Sequence, residues 1–297
     1  MKQAASLSIL ARRGPLLAIL LSSCALCHPA FPQTGVKIQL VSEQSAIVPG
    51  KPFTVGLWLV HDRGAHTYWR FPGIVGVPTQ LKWKLPPGWK AGELVYPAPE
   101  RTHMFQIKAQ GFDRDVMLRT EITPPAKLKI GESITLAATA SWMCCGTSCN
   151  PGSMELSLTL PVAETAALNA KWHELLDAER ARAEQPSDAW SASVSEQDKT
   201  LTLTLRPASA KARRCRTQRD ADRLIVFTED GWFDSDKPQV IHLHDDGSLT
   251  VTLTQADSYV GGKPPQTLRA ILRNEDGWLR DGKLQCLQIA PKILRGE

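Results

Sequence analysis

Two alternating runs, Ile134 to Ala140 and Met154 to Leu160, flank Ser141-Trp142-Met143-Cys144-Cys145-Gly146-Thr147-Ser148-Cys149-Asn150-Pro151, and they constrain the fold more than any other feature of the chain. Apolar residues alternating with small or polar ones are the period-2 signature of half-buried strands, so the passage reads as strand, short loop, strand. Three of the seven cysteines lie within it. If Cys145 and Cys149 flank a hairpin loop of Gly146-Thr147-Ser148, they face each other across an antiparallel pair. Opposed residues there have Cα atoms ~4.5 to 5.5 Å apart, within reach of a disulfide. So short a ring contributes only about 2 kcal/mol of chain-entropy stabilisation, which favours a reversible redox pair over a structural staple. A thiolate metal site is the third reading of the same residues. Cys144 points to the opposite face from Cys145 and reads as a small buried hydrophobe.

At 297 residues the chain is long enough for two domains, and its composition is that of a globular protein. The net charge of +5 is mild, and the one basic cluster, Lys211-Ala212-Arg213-Arg214-Cys215-Arg216, reads as a solvated loop; no nucleic-acid fingerprint accompanies it. Residues 1–33 read as a signal peptide, with Lys2, Arg12 and Arg13 before a short apolar run from Leu16 to Leu21. Leu21-Ser22-Ser23-Cys24 resembles a lipobox, making Cys24 a lipidation candidate, while Gly14-Pro15 weakens any twin-arginine match. No later stretch approaches the apolar length of a membrane span. The expectation is export to an oxidising compartment, the periplasm, with membrane contact only through a lipid on Cys24.

From Val36 to Val162 the pattern is all-β, with strands at Val36–Val41, Phe53–Val60, Thr79–Leu85, Asp115–Ile122 and Ser133–Ala140 separated by Pro- and Gly-rich turns. The stretch 163–187 is rich in Ala, Glu, Leu and Arg, with Leu168, Trp172, Leu175 and Leu176 at helical spacing, and reads as a linker helix ending before Pro186. Strand patterns return over 188–297. The fold class expected is all-β: two antiparallel sandwiches, 36–162 and 188–297, joined by a short helix.

Two passages bring in a family. His66-Thr67-Tyr68-Trp69-Arg70, with Gly73, Gly76, Pro78-Thr79, Trp83, Leu85-Pro86, Gly88-Trp89, Pro97 and Pro99-Glu100-Arg101, resembles the amino-terminal periplasmic region of the DsbD/ScsB thiol:disulfide interchange proteins. Trp142 to Pro151 resembles that family's Trp-x-x-Cys-x-x-x-Cys-x-Pro redox hairpin. The resemblance implies immunoglobulin-like sandwiches and a redox-active pair at Cys145 and Cys149, with Cys149 attacking and Cys145 resolving. It implies an aromatic cap over the cysteines, at Phe112 by position or, in second place, Phe105, although Phe112 reads equally well as an ordinary core residue; Trp142 and Trp69 read as core aromatics that flank the hairpin and, with Pro151, support it. The implied partners are periplasmic thioredoxin-like proteins and a membrane-embedded thiol reductase, with protein-disulfide reductase-like chemistry and no cofactor. The sequence departs from the family in its extra Cys144, in Gly152 where a polar residue is common, and in lacking both a multispanning region and a separate Cys-x-x-Cys.

Elsewhere, Cys215 and Cys286 are candidates for a structural disulfide closing a loop worth roughly 4 kcal/mol. His242 and His244 share a strand face but read as a solvent edge rather than a metal site. His66, Tyr68 and Arg70 read as residues at the sandwich rim. The function expected is thiol–disulfide exchange; the alternative is a non-enzymatic binding module whose cysteines form a staple or hold a soft metal such as Cu(I).

Overall fold

The computed structural model describes residues 35–257, 259 and 262–295. The expected signal peptide, with Cys24 and Cys27, lies outside the described residues.

The chain is all-β and immunoglobulin-like, built from antiparallel sheets. Its strands up to residue 161 are β1 (Val36–Ser42), β2 (Phe53–His61), β3 (His66–Tyr68), β4 (Gln80–Lys84), β5 (Lys90–Ala91), β6 (Glu100–Met104), β7 (Ile107–Phe112), β8 (Val116–Thr123), β9 (Ser133–Cys145) and β10 (Cys149–Pro161). One sheet has the order β1-β2-β8-β5; the other runs β10-β9-β3-β7-β6, with β4 also on β9. Alternation decides which side chains meet between them. Val36, Ile38 and Leu40 of β1, Val55, Leu57 and Leu59 of β2, and Leu136, Ala138, Ala140, Trp142 and Cys144 of β9 are buried in one cluster. Each large aliphatic among them contributes about 1.5 to 3 kcal/mol by leaving water.

β3 and β4 follow β9 in turn: His66 and Thr67 pair with Cys145 and Cys144, and Gln80 to Lys84 pair with Ser141 to Ala137. Between them residues 69–79 leave the sheet as an excursion. The hairpin of β6 and β7 was not legible in the sequence, because its two-residue turn, Phe105-Gln106, has no glycine or asparagine, and Phe105 itself adopts φ 53°.

The helix α1 (Ala170–Ala181) occupies only the middle of the expected segment. Its N-cap Asn169 accepts from the Trp172 amide, and the flanks run extended, bridging Gln44 to Leu168 and Gln185 to Leu287. Leu176 packs with Val41 and Met117, so α1 lies on the outer face of the β1-β2-β8 sheet. Glu43 anchors it there, receiving Arg180 Nη2 at 2.6 Å and facing His173 Nδ1 at 2.8 Å.

After it come β11 (Trp190–Gln197), β12 (Thr200–Pro207), a short α2 (Gln218–Ala221), β13 (Ile225–Thr228), β14 (Val240–Leu243), β15 (Leu249–Thr254), β16 (Ala270–Arg273), β17 (Cys286–Ile289) and β18 (Ile293–Arg295). Their sheets are β14-β15-β12-β11-β18 and β13-β16-β17. Among the described strands, β11 pairs with β18 in parallel. Phe227, Ile271 and Cys286 of the smaller sheet join the first hydrophobic cluster, so the two cores touch. Polar contacts reinforce this junction: Arg70 Nη2 lies 2.7 Å from both Glu184 and Glu229, and Gln110 Nε2 donates to Thr228 O at 2.9 Å.

The disulfide expected between Cys215 and Cys286 is not formed. Cys286 is a buried free thiol at the start of β17, whereas Cys215 is a half-buried free thiol in the loop that pairs Ala212 with Leu279. Each is accommodated as a small apolar side chain, with burial the main cause pushing its thiol up to about 11.

Candidate functional site

β9 and β10 pair over their whole length, which brings Cys145 opposite Cys149 across the loop Gly146-Thr147-Ser148. Their Cα atoms are 4.0 Å apart and the two sulfurs are bonded. The loop closes on a hydrogen bond from Gly146 N to Ser148 O, 3.0 Å, and its three residues are exposed. Pro151 is tolerated because β10 is an edge strand.

The pleat separates two neighbouring cysteines. Cys144 points into the sandwich with Trp142 and Trp69, whereas Cys145 points outward into a small separate cluster. That cluster holds Tyr68, Ala109 and Cys145, all buried, with half-buried Val75, Met104, Met143 and Cys149 around them. Cys145 is 2% exposed, while Cys149 is half-buried. A surface cleft of about 390 Å³ borders Cys145, Gly146, Thr147 and Ser148, beside the bond.

Tyr68 decides the electrostatics of the buried sulfur. Its hydroxyl donates to Cys145 Sγ at 3.0 Å, with His66 Nε2 3.5 Å from the same oxygen. Burial, with a smaller contribution from Cys144, pushes the phenol up to about 12, so it remains a proton donor through the physiological range. His66 is held below its ordinary value by burial and by neighbouring His103, whose ring centre is 5.1 Å away. A neutral imidazole and a protonated phenol thus surround Cys145. A thiolate formed there would keep the phenol hydrogen bond, and that charge-assisted bond would favour it over the thiol.

The cap candidates divide. Phe112, expected over the cysteines, is instead a core residue, 1% exposed and paired opposite Thr67. Phe105 is 64% exposed at the tip of the β6–β7 hairpin. Met104, its neighbour, packs into the disulfide cluster together with Ala109 of the same hairpin, and Val75 enters it from the 69–79 excursion. Trp142 and Trp69 are buried core aromatics, and Arg70 stacks over the Trp69 ring at 4.4 Å. Gly152 is explained by Trp142: a Cβ on Gly152 would lie 2.3 Å from the indole. The sequence pattern alone puts Tyr68 at the sandwich rim. Its place beside Cys145 depends on β3 pairing with the far end of β9, which no local pattern announces.

Among the described residues, the cluster able to offer three metal ligands is Glu43, His173 and Asp177. Arg180 already pairs with both carboxylates, which makes it an ion network holding α1.

A family profile described as "Thiol:disulfide interchange protein DsbD, N-terminal" matches residues 37–161. Residues 37–161 form a DsbD-type N-terminal domain. The crystal structure of the N-terminal periplasmic domain of ScsB from Proteus mirabilis aligns with 89% of this chain and 96% of its own, at a TM-score of 0.60 and 17% identity. The DsbD-type domain and the strands after it therefore share that protein's fold. A protein of unknown function from Porphyromonas gingivalis W83 aligns far more loosely, at a TM-score of 0.23 and 11% identity over 87% of this chain and 99% of its own. No curated protein matches the sequence. The DsbD-type domain is a thiol–disulfide exchange module, and its bonded hairpin is the Cys145–Cys149 pair.

Proposed function

We propose that this chain is an exported, periplasmic thiol–disulfide exchange protein that relays electrons between a membrane thiol reductase and thioredoxin-like partners through Cys145 and Cys149. The observation that carries the reading is the asymmetry of the pair: a half-buried Cys149 bonded to a buried Cys145 that already accepts the Tyr68 O–H. A partner thiolate reaches Cys149 Sγ, a new S–S bond forms there, and the Cys145–Cys149 bond breaks. Its electron pair leaves on Cys145 as a thiolate that Tyr68 stabilises. The partner's second thiolate then attacks the mixed disulfide and releases Cys149, which takes a proton from water. The partner leaves oxidised and this chain dithiol. Run backwards, Cys149 attacks an oxidised substrate and Cys145 resolves the intermediate.

The test is a reduction potential together with trapping. A potential of about −180 to −270 mV, and a partner captured on Cys149 in a Cys145→Ala variant, support exchange; a potential below about −300 mV marks a locked staple and overturns it. A second reading rests on Met104 and Met143, whose thioethers share the cluster with both cysteines. Two thiolates and two thioethers suit a soft cation such as Cu(I). Stoichiometric metal in protein purified under reducing conditions favours that reading.

A further inference from the structure

Two segments of the first sandwich pack into the cluster that holds the disulfide, and both are held from the other sandwich. Val75 comes from the 69–79 excursion and Met104 from the β6–β7 hairpin. A single hydroxyl joins the two segments. Ser235 Oγ accepts from Ile74 N at 3.2 Å and donates to Lys108 O at 2.9 Å. Ile74 precedes Val75, and Lys108 precedes Ala109, a buried member of the disulfide cluster. Asp236 adds a second pair of bonds to the hairpin: its Oδ1 accepts from Lys108 N at 3.0 Å, and its carbonyl accepts from Lys108 Nζ at 3.1 Å.

The clamp is itself anchored. Asp234 N donates to Thr254 O on β15, Phe233 bridges to Gln255, and Asp234 Oδ1 accepts from Asp236 N at 2.9 Å. The excursion is shaped to receive it. Gly73 has φ 96°, and a Cβ there would lie 2.3 Å from Ser235 Oγ, so glycine is needed both for the backbone and for the approach.

We infer that Ser235 and Asp236 are positioning residues for the Cys145–Cys149 exchange, holding in place both segments that pack beside the disulfide, so that the second sandwich sets how fast thiols reach it. This rests on the exchange reading. A clamp of this kind governs access. A clamp that acts on access in whichever state the pair is in changes the rate in both directions and leaves the equilibrium between them where it was.

The experiment uses the full chain, oxidised, with dithiothreitol as the thiol and alkylation as the readout. Ser235→Ala, which loses two neutral hydrogen bonds, and Asp236→Ala, which loses one to its carboxylate, are each expected to raise the reduction rate roughly three- to tenfold. The redox equilibrium against glutathione should stay within about twofold of wild type in each variant, as a change in access alone requires. Ser235→Thr, which keeps the hydroxyl, should retain the wild-type rate, and an unchanged far-UV spectrum separates uncovering from unfolding. Wild-type rates in both alanine variants overturn the clamp while leaving exchange intact. Rates and equilibrium that shift together also overturn it, since they mark a change in the bond rather than in its cover. A wild-type chain that exchanges with no thiol brings down the exchange reading, and the clamp with it.

Discussion

Cys144 and Cys145 are adjacent on one strand and could hardly be more differently placed. The first lies in the core, where a Cβ on Gly35 would sit 2.8 Å from its sulfur and where burial pushes its thiol up to about 11. The second faces outward, bonded to Cys149 and hydrogen-bonded by Tyr68. The same element, in the same environment of secondary structure, therefore makes one sulfur a packing atom and the other a reagent. Pleat and cross-strand register do the sorting, with no help from local charge.

Breaking that distinction gives the largest effect. Replacing Cys145 or Cys149 by Ala should abolish complete turnover, a loss of at least about 10³-fold, because neither cysteine alone can both form and resolve the mixed disulfide. Replacing Cys144 by Ala should leave exchange within roughly twofold of wild type, since its sulfur is used only for packing. Comparable losses from all three substitutions in a stopped-flow exchange assay would show that the inner sulfur takes part in the chemistry.

A weaker but telling effect lies on the inner face. Gly152 lies opposite Trp142, and a methyl group there collides with the indole, so Gly152→Ala should destabilise the fold by about 1 to 3 kcal/mol. Denaturant unfolding followed by tryptophan fluorescence measures it. Exchange in the surviving folded protein should be unaltered, because the strain falls on the face away from the disulfide. A faster or slower exchange rate in this variant would show that the two faces are coupled.

How far the sequence disclosed this arrangement follows from the range of the interactions involved. Alternation along β9 and β10 fixed the hairpin and put Cys145 opposite Cys149, because register within a tight hairpin is a local property. The helix over 170–181 was visible for the same reason, although its flanks turned extended once they found bridging partners. What surrounds the sulfurs was not visible. Tyr68 reaches Cys145 across 77 positions and Ser235 reaches Ile74 across 161, and pairing at such separations leaves no periodic trace. Phe112 is the converse case, where the core reading and not the cap reading holds. Its aromatic character suited a cap, but its place on β7, opposite Thr67, turned it into the core.

On the outer face, Tyr68→Phe tests whether the phenol acts on the leaving sulfur. A hydrogen bond to a charged group is worth about 1.5 to 3 kcal/mol, or one to two pKa units on Cys145. Because a more basic thiol leaves more slowly, reduction should slow, by no more than the roughly ten- to hundredfold that this shift allows. The alkylation profile of reduced Cys145 should move to higher pH by the same substitution. An unchanged profile with a slower rate would leave Tyr68 as packing alone.

The smallest effect belongs to the inner thiol. Burial is the main cause raising Cys144 to about 11 in the folded chain, against an ordinary value near 9.0, so between those pH values the folded protein holds a proton that the unfolded chain has released. Stability contributed by that proton is complete below pH 9 and is lost as pH rises toward 11. The slope is at most about 1.4 kcal/mol per pH unit. Cys215 and Cys286 are shifted the same way, so the wild type should lose stability from three thiols at once. Cys144→Ala removes one share, and its curve in urea unfolding at pH 8 to 10.5 should fall less steeply than the wild type's, by on the order of 1 kcal/mol over the range. Parallel curves would mean that the Cys144 thiol titrates as it does in water, and the contrast between the two faces of β9 would then rest on the disulfide alone.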